Sequence, residues 1–186
     1  MSKDFREDIP EIIAKKYVHR GFFDLRIDTI RSPDQQTQDY TTLCTKTRAA
    51  AVLGQDTEGR YILIREYRYP VGKWVYSLPG GRIEELEKSW EGARREFLEE
   101  TGYRAPQLQP LFLHYPMPSV CDQVVEVFYS AQCTAVTHPS CDLLERIVPV
   151  CLREEELHSL FKQEGIAMDS LLCSALFYLR VSGKSC

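Results

Sequence analysis

Three glutamates of this chain lie close together in the sequence, and carboxylates grouped in this way are candidate ligands for a metal ion. Glu96, Glu99 and Glu100 fall within five residues, just before Thr101 and Gly102. On a helix these positions share one face, so Glu96 and Glu100 would repel each other, and acids near a helix C-terminus oppose its dipole. Unfavourable local arrangements of this kind often mark functional sites. A bound Mg²⁺, which prefers oxygen ligands, would offset the repulsion between the carboxylates. The alternative is a solvated acidic surface.

A helix from about Ser89 to Thr101 must position these glutamates. Ser89 can cap its start, and Gly102 suits the left-handed residue that follows a helix end. The same helix offers candidate ion pairs, four residues apart, from Arg95 to Glu91 and from Arg95 to Glu99. Its other face carries apolar residues that we expect to pack in the core: Trp90, Ala93 and Phe97.

The rest of the chain alternates strand patterns with turns and ends in two helical patterns. Helices are predicted at 153–163 and from near Asp169, which is a suitable N-cap for a helix with one apolar stripe. This order predicts an α+β protein. The predicted strands lie within residues 17–30, 40–47, 49–54, 60–70, 75–79, 111–116, 124–133 and 145–152.

Composition limits the classes of function. The chain has 186 residues, of which 44% are apolar and 27% charged, with a net charge of −4. This charge argues against nucleic acid or an anionic membrane as the partner. The start, MSKDFREDIP, is too polar for a signal peptide. The seven cysteines contain no C-x-x-C, which argues against a zinc site or a dithiol redox site. We expect buried or idle thiols in a reducing cytoplasm.

The acidic segment resembles the Nudix box, G-x5-E-x7-R-E-U-x-E-E-x-G-U, where U is an apolar or aromatic residue. Every fixed position of that pattern is filled, by Gly81, Glu87, Arg95, Glu96, Glu99, Glu100 and Gly102. The resemblance implies a Nudix hydrolase, which cleaves a nucleoside diphosphate linked to another moiety and uses Mg²⁺ or Mn²⁺. It also implies the Nudix fold, an α/β/α sandwich with a mixed β-sheet.

The resemblance assigns a role to each box position. Glu96 and Glu100 match the principal metal ligands, and Glu99 matches a ligand or a residue that orients the attacking water. Arg95 matches the arginine that positions these glutamates, and Glu87 matches an acid that organises the site. A backbone carbonyl near Gly80–Gly81 is an expected further ligand.

Outside the box, the chain looks most like the ADP-ribose pyrophosphatase branch. The segment REYRYPVGKWVYSLPGG offers Arg68, and next to it Arg65, for phosphate or sugar, because guanidinium matches phosphate oxygens. Pro118, in HYPMPSVCDQ, matches a substrate-binding loop. Some residues differ from those of the branch, so two kinds of substrate are expected. One is ADP-ribose, cleaved to AMP and ribose 5-phosphate, and the other is another nucleotide-sugar such as GDP-mannose. A non-catalytic nucleotide-binding module is the second alternative. The departures are Ser77, Gly80 and Gln123.

The general base is predicted on the segment THPSCDLLERIV, residues 137–148, which is similar to a mobile loop of that branch. Glu145 is the first candidate and Asp142 the second. Alternatively, Glu99 activates the water and Glu145 only solvates a loop.

Residues 1–47 form a separate N-terminal segment, too long for a tail and too short for its own core. By the resemblance, residues 48–186 are expected to form the Nudix domain. Branch members commonly use such a segment to build a homodimer, and Tyr17, Phe22 and Phe23 need a place to bury. We therefore expect a homodimer whose partner's N-terminal segment reaches the substrate pocket.

Overall fold

The computed structural model describes residues 9–140 and 146–183, in two compact units. Of these residues, 9–46 and 117–123 belong to the first unit, and 47–116, 124–140 and 146–183 belong to the second. In the described ranges, no helix is long and apolar enough to cross a membrane. The strands are β1 Glu11–His19, β2 Asp24–Arg31, β3 Thr37–Cys44, β4 Ala49–Asp56, β5 Tyr61–Arg68, β6 Lys73–Ser77, β7 Gly80–Arg82, β8 Tyr103–Arg104, β9 Gln109–His114, β10 Val125–Ala135 and β11 Ile147–Leu152; the helices are α1 Ser89–Thr101, α2 Glu154–Phe161 and α3 Ser170–Ser182.

The first unit is built on an antiparallel three-stranded sheet, in the order β1-β2-β3. The middle strand β2 holds a partly buried ion pair, in which Arg26 Nε lies 2.7 Å from Oδ1 of the buried Asp28. The segment 117–123 joins this unit because Leu43 N–H donates to the carbonyl of Val120 at 2.8 Å. Every residue of the edge strand β1 is exposed.

The second unit is built on a mixed eight-stranded sheet. Strands run in the order β11-β5-β4-β10-β8, with β6, β7 and β9 paired to β5, β4 and β10. The pair β4–β10 is parallel and its neighbours are antiparallel. The run AAAVLG becomes the almost fully buried centre of the sheet. Parallel pairing at the centre and burial on both faces fit an apolar strand of this kind.

Helices cover both faces of this sheet. On one face, Ala93 and Phe97 of α1 pack with Val52, Ile62 and Phe128. On the other face, α2 and α3 pack on a second apolar cluster through Leu157, Leu160, Leu172 and Ala175. The predicted sandwich with a mixed sheet is therefore confirmed.

Two predictions about helix starts had different outcomes. Asp169 caps α3, since its Oδ1 accepts the N–H of Leu171 at 2.8 Å. The prediction that Ser89 caps α1 was wrong, because Lys88 is the N-cap and Glu91 Oε2 accepts its N–H at 2.9 Å. Ser89 Oγ donates instead to Glu126 at 2.6 Å, so a distant strand takes its hydroxyl.

Candidate active site

Two glutamates of α1, Glu96 and Glu100, lie against the short strand β7, where there is almost no room for further side chains. A Cβ placed on Gly81 would come within 2.6 Å of the Glu96 carboxyl carbon. At the helix end, Gly102 adopts φ 74° and its N–H donates to the Leu98 carbonyl, as predicted. The absence of a Cβ therefore lets Gly81 approach the Glu96 carboxylate, and it lets the helix end at Gly102 approach the backbone of Thr137.

Glu100 is the most deeply placed of these acids. Its residue surface is 6% exposed, and its Oε2 accepts the N–H of Gly80 at 2.7 Å. A buried carboxylate is costly unless it is hydrogen-bonded, so this bond holds the charge at a defined point. The start of β7 therefore fixes Glu100 against the sheet.

Arg95 connects three of the other acids. Its Nη1 donates to Glu96 Oε1 at 2.9 Å and to Glu99 Oε2 at 3.1 Å. Its Nε and Nη2 donate to the two carboxylate oxygens of Glu87, at 3.1 and 3.2 Å. The hydrogen bonds from Arg95 hold the pKa of Glu87 below its ordinary value, and the same pairing raises the pKa of Arg95.

The bonds of Arg95 resolve the charge conflict seen in the sequence. The predicted Arg95–Glu99 pair is present, whereas the predicted Glu91–Arg95 pair was wrong because the backbone of Lys88 holds Glu91. Arg95 turns to Glu87, which the loop brings back to the helix. The prediction that Trp90 packs in the core was also wrong, since it is 41% exposed.

The oxygen atoms of these carboxylates are suitable ligands for a hard cation such as Mg²⁺. Carboxylate oxygens are the ligands that Mg²⁺ prefers, and Glu96, Glu99 and Glu100 supply them beside a loop without side-chain bulk. Within residues 9–140 and 146–183, no three acidic, histidine or cysteine side chains converge closely enough to hold a cation as they stand. In this arrangement the guanidinium of Arg95 offsets the charge of Glu96 and Glu99.

Comparison with known proteins identifies the family. A family model described as NUDIX domain matches residues 45–162. The chain belongs to the Nudix family. It is 30% identical to a Bacillus subtilis protein named ADP-ribose pyrophosphatase. That alignment of 121 residues covers 64% of this chain and 65% of the relative. It is also 28% identical to a Bacillus methanolicus protein named methanol dehydrogenase activator, in an alignment of 104 residues that covers 56% of each chain.

A solved structure supports the same fold. The crystal structure titled ADP compounds hydrolase matches with a TM-score of 0.77 at 20% identity, over 95% of this chain and 97% of that one. At this identity the likeness shows the Nudix fold alone. The aligned regions span less than two thirds of the length of the curated relatives named above.

The two candidate substrate arginines point to opposite faces of β5. Side chains alternate along a strand, and Ile62 packs with α1, the Nudix helix, so Arg68 lies on the face of the sheet that α1 covers. Arg68 pairs there with Glu66 at 2.8 Å. Arg65 lies on the other face, with its guanidinium 5.3 Å from the ring of Trp74. The alternation favours Arg68 over Arg65 as a neighbour of the Nudix box.

Residues 136–140 lie against the C-terminal end of the Nudix helix. Ser140 N–H donates to the Glu99 carbonyl at 2.7 Å, and Val136 N–H donates to the Gly102 carbonyl at 3.0 Å. On the far side, the Arg146 carbonyl accepts the N–H of Tyr67 at 3.0 Å. The base candidates Glu145 and Asp142 lie outside the described residues, so their roles stay predictions.

Pro118 belongs to the first unit, in the segment 117–123, and its substrate contact also stays a prediction.

The residues brought together in the second unit are those of the Nudix box. Sequence reasoning missed two backbone groups that complete this cluster: the N–H of Gly80, and the carbonyl of Arg82, which accepts from Arg95 Nη2 at 3.0 Å. The Gly80-Gly81 pair was the available signal, since adjacent glycines allow a backbone to approach side chains closely.

Replacing Arg95 tests whether it holds the acids in place. Arg95→Met removes the partner of three partly buried carboxylates, so we expect the free energy of unfolding to fall by about 1–3 kcal/mol. Urea denaturation followed by circular dichroism measures this. Arg104→Met, which removes an exposed arginine, is the control and should have little effect. An Arg95→Met variant as stable as the parent would contradict a positioning role.

Proposed function

We propose that this protein hydrolyses the phosphoanhydride bond of a nucleoside diphosphate linked to a sugar, and that it converts ADP-ribose to AMP and ribose 5-phosphate. The observation that carries the proposal is the cluster in which Arg95 holds Glu87, Glu96 and Glu99 while Gly80 holds Glu100. The name of the Bacillus subtilis relative supports ADP-ribose as the substrate.

Glu96 and Glu100 would hold Mg²⁺ or Mn²⁺, with the carbonyl of Gly80 as a further ligand. When bound, the cation would offset charge on the diphosphate and lower the pKa of the attacking water. Arg95 keeps the acids at fixed positions, and Arg68 would contact a phosphate through its planar guanidinium. Bond breaking then depends mainly on positioning and electrostatics.

The proton of the attacking water would go to Glu145. The hydrogen bond from Ser140 to the Glu99 carbonyl supports this, because it places the described start of the segment beside the Nudix helix. Glu99 is the rival base, and it is the most exposed of the three helix acids, with 45% of its side-chain surface accessible. Asp142 is the remaining candidate.

A substrate panel tests the proposed function. The purified protein is incubated with Mg²⁺ or Mn²⁺ and with ADP-ribose, GDP-mannose, a dinucleoside polyphosphate or a nucleoside triphosphate. Products are identified by ³¹P NMR and chromatography. We expect AMP and ribose 5-phosphate from ADP-ribose, and no turnover after chelation of the metal. Faster turnover of GDP-mannose would move the substrate to that nucleotide-sugar, and turnover of the triphosphate alone would overturn the nucleotide-sugar proposal.

One observation favours a different class of function. The Bacillus methanolicus relative is named as an activator of another enzyme, which fits a nucleotide-binding regulator. The same panel separates the two classes, because a regulator would bind a nucleotide without releasing products. The retained set of glutamates supports the enzyme.

We also propose that the protein forms a homodimer through its first unit, with the partner's N-terminal segment reaching the substrate pocket. Apolar side chains stay exposed on the edge strand β1, among them Ile12, Ile13 and Val18. Two of the aromatics that need burial are also exposed, Tyr17 at 42% and Phe22 at 65%. An edge strand with exposed apolar side chains is suited to association with another chain.

The dimer proposal predicts the mass in solution. At micromolar concentration we expect twice the chain mass by light scattering after gel filtration. Tyr17→Asp, on the exposed strand β1, should weaken the dimer because it places a charge in an apolar interface. Thr37→Asp, on the strand at the other edge of the sheet, is the control. A monomeric protein that stays active after removal of residues 1–40 would contradict the proposal.

A further inference from the structure

A cavity of about 640 Å³ lies in the second unit, on the face of the sheet covered by α2 and α3. Its size falls within the range of small-molecule sites, about 300–1,000 Å³. It lies on the opposite face of the sheet from α1, and its lining residues do not include any glutamate of the Nudix box. It is therefore separate from the candidate active site.

Apolar side chains form the walls of this cavity. Leu157 and Phe161 come from α2, and Leu176 and Phe177 come from α3. The two phenylalanines are exposed to solvent, Phe161 over 43% of its surface and Phe177 over 68%. Aromatic faces that remain open at a cavity offer a stacking surface to a planar ring.

Gln132 supplies a hydrogen-bonding edge to the same cavity. It adopts φ 58°, a left-handed conformation that is uncommon for residues other than glycine, at an irregularity in β10 between Ser130 and Cys133. Such bulges re-aim side chains, and left-handed residues cluster at ligand clamps. In the described part of the chain, the side-chain amide of Gln132 has no hydrogen-bond partner.

A second amide, that of Gln55, is fixed in orientation. Its Oε1 accepts from the hydroxyl of buried Tyr129 at 2.5 Å, and its Nε2 donates to the Gly59 carbonyl at 3.2 Å. Both Gln55 and Tyr129 line the cavity. The cavity thus combines an oriented amide with one that is open to a ligand.

The carboxylates that line the cavity, Asp56 and Glu154, already have partners. Glu154 accepts from Arg180 at 3.3 Å and from the Tyr61 hydroxyl at 3.4 Å. Asp56 accepts from Arg60 Nε at 2.6 Å. Since Arg180 and Arg60 are already paired with carboxylates, and those carboxylates would repel an anion, the site favours an uncharged ligand over a phosphate or a carboxylate.

We propose that this cavity is a second, non-catalytic site for an uncharged planar heteroaromatic ring with an amide-like edge, such as the base of a free nucleoside. Phe161 and Phe177 contact the ring faces, and the Gln132 amide pairs with its donor and acceptor edge. Glutamine amides recognise base edges through two parallel hydrogen bonds in this way. The site goes beyond the proposed hydrolysis, because it lies on the other face of the sheet.

Cys173 offers a local probe of this site, because it lines the cavity and is exposed on α3. The full chain is alkylated with iodoacetamide, with and without millimolar adenosine, and the rate at Cys173 is followed by peptide mass spectrometry. We expect adenosine to slow alkylation of Cys173 severalfold. Benzyl alcohol, which has an aromatic ring without an amide-like edge, should leave the rate unchanged.

A matched variant makes the result specific. Gln132→Gly removes the amide and also suits the left-handed backbone, so this variant should fold at least as stably as the parent. We expect it to lose the protection by adenosine, while Glu100→Gln, at the Nudix box, keeps it. The proposal is overturned by the absence of protection, by equal protection from benzyl alcohol, or by protection that survives Gln132→Gly.

Discussion

Glu100→Gln should lower the hydrolysis rate by at least about a hundredfold, or about 3 kcal/mol of transition-state stabilisation, at saturating Mg²⁺. The substitution keeps the size of the side chain and removes one charge from the proposed metal site. The amide oxygen can still accept the N–H of Gly80, so we expect the stability of the fold to change by less than about 1 kcal/mol. Steady-state kinetics and urea denaturation measure the two quantities.

The matched control is Glu91→Gln, on the first turn of the same helix. Glu91 accepts the backbone N–H of Lys88, and glutamine can replace glutamate in this capping role. We therefore expect a nearly unchanged rate. Glu96→Gln should behave like Glu100→Gln. If Glu100→Gln retained the parental rate at saturating Mg²⁺, the assignment of the metal site would be wrong.

Glu145→Gln should lower turnover by roughly 10²–10⁴-fold while KM changes little, because a general base acts on the chemical step and not on substrate binding. Asp142→Asn should have a smaller effect. Raising the pH supplies more hydroxide, so it should restore part of the activity of Glu145→Gln and less of the activity of Glu100→Gln. Rate profiles against pH, measured at saturating Mg²⁺, test this order.

Glu99→Gln separates the two candidate bases. If Glu99 only holds Arg95 and helps to bind the cation, a higher Mg²⁺ concentration should restore part of its activity. If Glu145→Gln stays within about threefold of the parental rate at neutral pH, the base on the segment 137–148 is wrong. Glu99 would then take that role.

The sequence by itself determined the helix and its acidic face. Fixed helical geometry places Glu96, Glu99 and Glu100 together wherever the helix lies, and the start of α3 at Asp169 follows from local capping. Apolar runs likewise predicted the central strands β4 and β5 closely. These features depend on residues within a few positions of each other, so a local pattern suffices.

Only the tertiary structure decided which partners the charged side chains take. Arg95 binds Glu87, eight residues away, instead of Glu91, because the backbone at Lys88 already holds Glu91. Glu100 receives a bond from Gly80, which is twenty residues distant. Competition among several acceptors is settled by the path of the loop, which local spacing does not encode.

The same limit explains the residues whose burial or location was predicted wrongly or missed. Trp90 shares a helical stripe with Phe97, but it lies on the first turn and stays 41% exposed, with the Lys88 ammonium 5.9 Å from its ring. The left-handed Gln132 depends on a bulge in β10, which forms only when that strand pairs with β4. Burial and strand register arise from contacts between distant segments, and for this reason they required the folded chain.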